Sequence, residues 1–167
     1  QLKAAEFRIE AGNVYGPNGL VAAITEANKN SEPDTIILAP GIYSLSHALN
    51  PGAIFGDTGL PDIGTSVRIM GNSPENTVIE RLDGSPDFRI LQVSNGKLTL
   101  ERVTIRGGKL DGRGGGIFAS SELLVINCRI SNNRSARGGG ISTGSVGMVI
   151  NSVVTDNEAT VDGGGIP

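Results

Sequence analysis

The chain has one cysteine, Cys128, so no disulfide can close within it. That weakly disfavours a small disulfide-stapled secreted fold but not a large bacterial surface repeat, which needs no staples. Trp is absent, and four Phe and two Tyr make up the whole aromatic complement, so platforms for sugars or bases are scarce. His47 is the only histidine. No neighbour in sequence can orient its ring for general-base work, so it reads as a surface residue. No apolar run approaches the roughly 20 residues that a membrane-spanning helix needs. Charge of either sign is also modest. Against 17 acids stand 14 Lys and Arg, a formal net charge of -3 that offers no electrostatic case for nucleic acid or an anionic membrane.

What the chain does have is glycine, 25 residues in 167, and much of it recurs in one phrase. Gly114-Gly115-Gly116-Ile117 returns as Gly138-Gly139-Gly140-Ile141 and again as Gly163-Gly164-Gly165-Ile166. Between the triplets, Val125-Ile126-Asn127-Cys128-Arg129-Ile130-Ser131-Asn132-Asn133 returns as Val149 to Asn157, shifted by 24 residues. The segment 98–108 aligns with 123–133 in the same way. A period of this length marks a solenoid, in which each unit rests its apolar face on the next. Strands of three to five residues, three per repeat, have the proportions of a parallel β-helix. Equal offsets place like over like, which hairpins do not.

In that arrangement Leu98, Leu100, Ile105, Ile117, Leu123, Val125, Ile130, Ile141, Val149 and Val154 point inward. Thr99, Thr104, Arg106, Arg129, Ser131 and Thr155 point to water. Asn127 over Asn151, and Asn133 over Asn157, are expected to form amide ladders up the stack. The glycine triplets supply positive φ and let successive backbones approach closely.

Upstream, Ala5 to Ile9 reads as a short edge strand, and Leu20, Ala23, Ile24 and Ala27 share one face of a short helix. Asn18 or Gly19 caps its start, and Asn30, Ser31 and Pro33 end it. The expected organisation is one domain over 1–167, with strand and capping helix in 1–33 and repeats in 34–167. Residues 50–64, rich in Pro and Gly, read as an irregular excursion from the repeat. That loop is the best candidate contact site, with Tyr43, Phe55 and Asp57 beside it.

Chemistry is sparse. The acids show no matched pair on neighbouring strands with a base one rung away, as acid–base cleavage of a polysaccharide requires. Asp111-Gly112-Arg113-Gly114 lacks the nine-residue Asp spacing of calcium turns, and no Gly-Lys-Ser or Gly-Lys-Thr follows a triplet. Cys128 has Ser152 as its counterpart one repeat later, which marks a small-side-chain slot and a structural thiol. The expectation is no catalytic residue, no metal and no cofactor. With Ile166-Pro167 standing at the start of another rung, a portion of a longer solenoid is expected.

Three passages resemble a known group. Gly19 to Asn28 followed by Asp34-Thr35-Ile36-Ile37-Leu38-Ala39-Pro40-Gly41-Ile42-Tyr43 looks like the opening module of bacterial secreted and surface right-handed parallel β-helix proteins of the pectin-lyase-like class. Val67 to Gly71 with Thr77-Val78-Ile79 looks like its next coil. The Gly-Gly-Gly-Ile blocks alternating with Ile130-Ser131-Asn132-Asn133 and Val154-Thr155-Asp156-Asn157 are similar to repeats of chlamydial polymorphic outer membrane proteins. The likeness spans about residues 19–167. It departs at the helix start, where Gly19 stands in place of a Ser cap and Val21 in place of Arg. The resemblance implies an all-β, right-handed parallel β-helix solenoid with a short N-terminal capping helix, at the cell surface or outside the cell. The implied role is structural or adhesive, with a surface glycan, a partner protein or further coils of its parent chain as partner. A polysaccharide lyase or hydrolase, or an end-to-end assembly module, are the competing readings.

Overall fold

A computed structural model describes residues 3–166, so Gln1, Leu2 and Pro167 lie outside the described residues. The chain opens with β1 (Glu6–Ile9) and the helix α1 (Leu20–Ala27), followed by β2 (Asp34–Leu38), β3 (Gly41–Leu45), β4 (Ser66–Met70), β5 (Thr77–Arg81) and β6 (Leu91–Val93). The first repeat then supplies β7 (Lys97–Glu101), β8 (Thr104–Arg106) and β9 (Ile117–Ala119). The second supplies β10 (Glu122–Ile126), β11 (Arg129–Ser131), β12 (Arg134–Arg137) and β13 (Ile141–Thr143), and the third β14 (Gly147–Ile150), β15 (Val153–Thr155) and β16 (Glu158–Asp162).

The result is an all-β fold of several parallel sheets built from sequential strands. One sheet has six strands in the order β1-β2-β4-β7-β10-β14, a second has five in the order β15-β11-β8-β5-β3, and β13-β9-β6 and β12-β16 form two smaller ones. Every strand-to-strand pairing among the described residues is parallel. Register follows the repeat: Leu98 pairs with Leu123, Ile105 with Ile130, and Ile117 with Ile141.

The chain changes direction at matched places. Arg102, Asn127 and Asn151 occupy one column of corners with φ of 54°, 51° and 47°. Gly107, Asn132 and Asp156 form a second, with φ of 77°, 54° and 52°, and the leading glycines Gly114, Gly138 and Gly163 a third, near 60°. Left-handed backbone is costly for most L-residues and cheapest for Gly, Asn and Asp, which explains the composition of these columns. Asn127 and Asn151 are therefore corner residues. Their side chains are exposed and make no hydrogen bond among the described residues, so the expected ladder at this position is absent. A ladder does run through the other pair: Asn133 Nδ2 and the Asn133 backbone N–H both donate to Asn157 Oδ1, each at 3.0 Å.

Side-chain directions follow period two, with two departures. Thr104 and Ser131, expected in water, are buried, and the Thr104 hydroxyl donates to the Pro74 carbonyl, in the turn before β5, at 2.6 Å. Val149 and Val154, expected in the core, are only partly covered because no strand pairs with β14 or β15 on their far side. The helix buries Leu20, Ala23, Ile24 and Ala27 as its spacing requires, and Gly19 caps it without a side-chain bond.

The second glycine of a triplet has no room for a side chain. A Cβ on Gly115 would stand 2.5 Å from the Arg134 carbonyl oxygen and 2.6 Å from that of Gly139, both backbone. Gly115→Ala is expected to lower unfolding free energy by about 3 kcal/mol. Gly52→Ala, at φ +81° but in open space, should lose only about 1 kcal/mol. Urea unfolding of the two variants checks the contrast.

Candidate functional site

The irregular segment divides in two. Residues 58–63 are not an excursion: Thr58 bridges to Arg89 and Ile63 to Val93, while Gly59 N–H donates to the Arg89 carbonyl at 2.8 Å. Leu60 and Ile63 are fully buried. Pro61 and the flanking glycines obscured this apolar pair in the sequence. Only residues 50–57 project as a loop.

Arg89 holds that loop. It lies in the run Phe88-Arg89-Ile90-Leu91, every member of which is buried, and its own exposure is 0 %. From Nη2 it donates to the Phe55 carbonyl and, at 2.9 Å, to the Arg113 carbonyl. From Nη1 it donates to Gln92 Oε1 and to the Gly56 carbonyl at 3.5 Å, and from Nε to the Gly114 carbonyl at 3.4 Å. The guanidinium also lies 5.1 Å over the Phe118 ring, within cation–π range. One buried cation thus ties the projecting loop to the turn that precedes β9. Burial pulls the Arg89 pKa down to about 10, while the charges of Asp62 and Asp57 push it back up, so the group stays charged at neutral pH. Asp62 is half-buried, and burial raises its carboxyl above the usual range. Its Oδ2 accepts from the Ser94 hydroxyl, and its Oδ1 has no partner among the described residues.

Above this clamp lies a cleft of about 410 Å³, walled by Ile54 and Phe55 on one side and by Asp111, Arg113 and Phe118 on the other. Ile54 is 95 % exposed and Phe55 64 %. The Phe55 and Phe118 rings stand 6.2 Å apart, tilted by 37°. Large apolar side chains held this far into solvent are suited to contact.

The other expected residues fall elsewhere. Tyr43 is not part of any contact surface: it is fully buried, and its hydroxyl donates to the Ala39 carbonyl at 2.7 Å. As part of β3 it points inward, and burial raises its pKa to about 12. Asp57 shapes the loop, with Oδ1 accepting from Gly52 N–H at 2.7 Å. His47 stacks on Tyr15 with centroids 4.6 Å apart. Glu101, beside Arg102 in sequence, pairs across strands with Arg68, and Glu80 pairs with Arg106 at 2.7 Å. Among the described residues no three His, Cys, Asp or Glu side chains gather as a metal ion would require, and no helix is long and apolar enough to cross a membrane. Sequence reading missed Arg89 altogether. A single Arg in a short apolar run carries no signal that its partners are carbonyls 24 to 34 residues away.

No family model, curated protein or solved structure matches the chain.

Replacing Arg89 strands the carbonyls it serves. Arg89→Met is expected to cost about 3 kcal/mol and to speed amide exchange across 53–57. Arg89→Lys should not rescue it, because a point charge cannot reach acceptors on both sides of the cleft. Hydrogen exchange and urea unfolding measure both effects.

Cys128 sits in the core with Sγ 3.2 Å from the Ile126 carbonyl oxygen; Ser152 repeats this contact to Ile150 at 2.8 Å. Burial lifts the thiol from 9.0 to about 11. The folded state therefore binds the proton more tightly than the unfolded chain, and the stabilisation is complete below pH 9 and lost as pH rises through 11. The urea midpoint should fall across that window, and less steeply in Cys128→Ser.

Proposed function

We propose that these sheets are the faces of a right-handed parallel β-helix and that the chain is a non-catalytic structural or adhesive module. In this reading it works outside the cell or on a bacterial surface. Its contact site is the cleft between loop 50–57 and the turn at 111–118, and its partner is a surface glycan or protein. The observation that carries the reading is the Arg89 clamp. A buried cation is costly, and here two of its hydrogen bonds go to the Phe55 and Gly56 carbonyls of the loop that carries a solvent-facing Ile54-Phe55 tip. A loop fixed in advance loses little entropy on binding. The uniform parallel register supports the solenoid, and the Gly-Gly-Gly-Ile repeats support kinship with bacterial surface proteins.

The test is retention on an array of cell-surface glycans and on whole cells. Paired substitution of Ile54→Ser and Phe55→Ser should weaken retention at least roughly tenfold, as loss of an aromatic anchor does, with the thermal midpoint unchanged. Equal retention of parent and variant would move the contact elsewhere. Ultraviolet-absorbing unsaturated products from charged polysaccharides, with or without calcium, would make the protein a lyase.

A further inference from the structure

The turn before β9 holds two cations in a position that the fold itself does not use. Arg113 lines the cleft, and Arg137 stands beside it one repeat later, in parallel register. Backbone bonds on both sides of Arg113 fix that placement. Arg137 N–H donates to the Gly112 carbonyl at 3.0 Å, and Gly114 N–H donates to the Arg137 carbonyl at 2.9 Å. Both side chains are exposed, and neither guanidinium makes an ion pair or a hydrogen bond among the described residues. Lys109 and Arg134, on the same two passes, differ in this respect: they pair with Asp87 at 3.2 Å and with Glu158 at 3.5 Å. Asp111, two residues before Arg113, and Asp162, the register partner of Arg137, form no ion pair with either arginine. Like charges side by side on adjacent strands are destabilising, and nothing among the described residues offsets that cost here.

An apolar wall and an unpaired double cation therefore meet at one cleft. Phe118 is 7 % exposed and Arg89 lies over its ring, so it presents little face on which a sugar could stack. Ile54, the most exposed member of the wall, is a branched aliphatic group. Such a wall receives an apolar side chain. The guanidinium pair receives carboxylates, which a guanidinium fork binds through two parallel hydrogen bonds. A polypeptide carries both groups within a few residues of each other.

We propose that the cleft docks a segment of a partner protein in which Leu, Ile, Met or Phe is followed closely by Asp or Glu. The apolar side chain seats against Ile54 and Phe55, and the carboxylate meets Arg113 and Arg137. The proposal rests on the contact-cleft reading above and narrows its partner to an acidic, apolar-bearing polypeptide. The apolar seat supplies affinity, and the cations select the partner.

Random heptapeptides displayed on phage are selected on the immobilised full chain. Sequences joining an apolar residue to Asp or Glu should be enriched at least about tenfold over the input library. The selected peptide, made synthetically, should bind a variant carrying Arg113→Gln and Arg137→Gln at least about tenfold more weakly than the parent, with the thermal midpoint unchanged. Replacing the peptide's acid by its amide should cost as much on the parent and little on that variant, because both changes remove one contact. Selection without acids, or equal affinity of parent and variant, would overturn the proposal. So would a carboxylated glycan that binds the parent and loses affinity in the same variant, since the site would then belong to a sugar. Retention on whole cells separates the two readings. Loss with Ile54→Ser and Phe55→Ser but full retention in the arginine variant would overturn the acidic partner and leave the contact cleft in place. Unchanged retention in both variants would remove the cleft itself.

Discussion

The fold depends on one constraint: in each pass the backbone must turn several times without losing register with the pass beneath. Left-handed residues at matched places meet it. Not every corner needs them: no residue between β9 and β10 has positive φ, yet β10 keeps full parallel register with β7 and β14. The three columns headed by Arg102, Gly107 and Gly114 hold their φ across successive repeats. Core packing then follows, because identical apolar positions arrive above one another. Arg102 is the exception in type, the one corner residue that is not Gly, Asn or Asp. Its Nε donates to the Gly71 carbonyl at 3.3 Å, a contact that helps offset the strain.

Tight stacking also dictates the glycine triplets. The first member turns, while Gly115, Gly116, Gly139, Gly140 and Gly164 pass so close to neighbouring backbone that a Cβ would meet carbonyl oxygen; Gly165 alone would meet only the Val154 side chain, at 3.4 Å. This accounts for the first two triplets, whose close approach admits no side chain, while the strands between drift in sequence. The strand positions need only an apolar residue of suitable size, and Leu, Ile and Val all serve. The first two triplets have no such latitude.

The repeats from Leu98 onward were legible because corner, strand and triplet each leave a distinct residue type at a fixed interval. Asn127 and Asn151 illustrate the limit of that legibility. Stacked asparagines suit either an amide ladder or a left-handed corner, and sequence alone does not separate the two. One position decides it: Asn127 follows strand β10 directly and must turn, whereas Asn133 follows the corner at Asn132 and points inward. Tyr43 lies in β3, the strand expected through Ile42, Tyr43 and Leu45. Its assignment to a contact surface failed because a tyrosine near an irregular loop suits either face of a short strand, and only the packing shows that it points inward. Residues 58–63 and Arg89 were illegible for a different reason. Their partners lie more than 20 residues away and do not repeat, so no periodicity announces them.

The two halves of the molecule satisfy their buried carbonyls by different devices. Where passes are regular, the Asn133–Asn157 amides suffice, with Asn133 Nδ2 also donating to the Ile105 carbonyl and Asn157 Nδ2 to that of Ile130. Where passes are irregular, guanidinium groups do the work: Arg89 bridges the loop to the turn before β9, and Arg81 donates to the Gly107 carbonyl at 2.8 Å and the Ser85 carbonyl at 2.6 Å. The switch falls at Gly108, where a Cβ would collide with the Gly115 carbonyl, so no amide can stand there. An amide spans a single rung, which fits like stacked on like. A guanidinium offers five donors in a rigid fork and can gather carbonyls from segments that share no register. The carbonyl-gathering guanidinium groups of Arg81 and Arg89 therefore serve passes that depart from the repeat. Arg89, the only arginine among the large, fully buried side chains of the described residues, lies beneath the projecting loop 50–57.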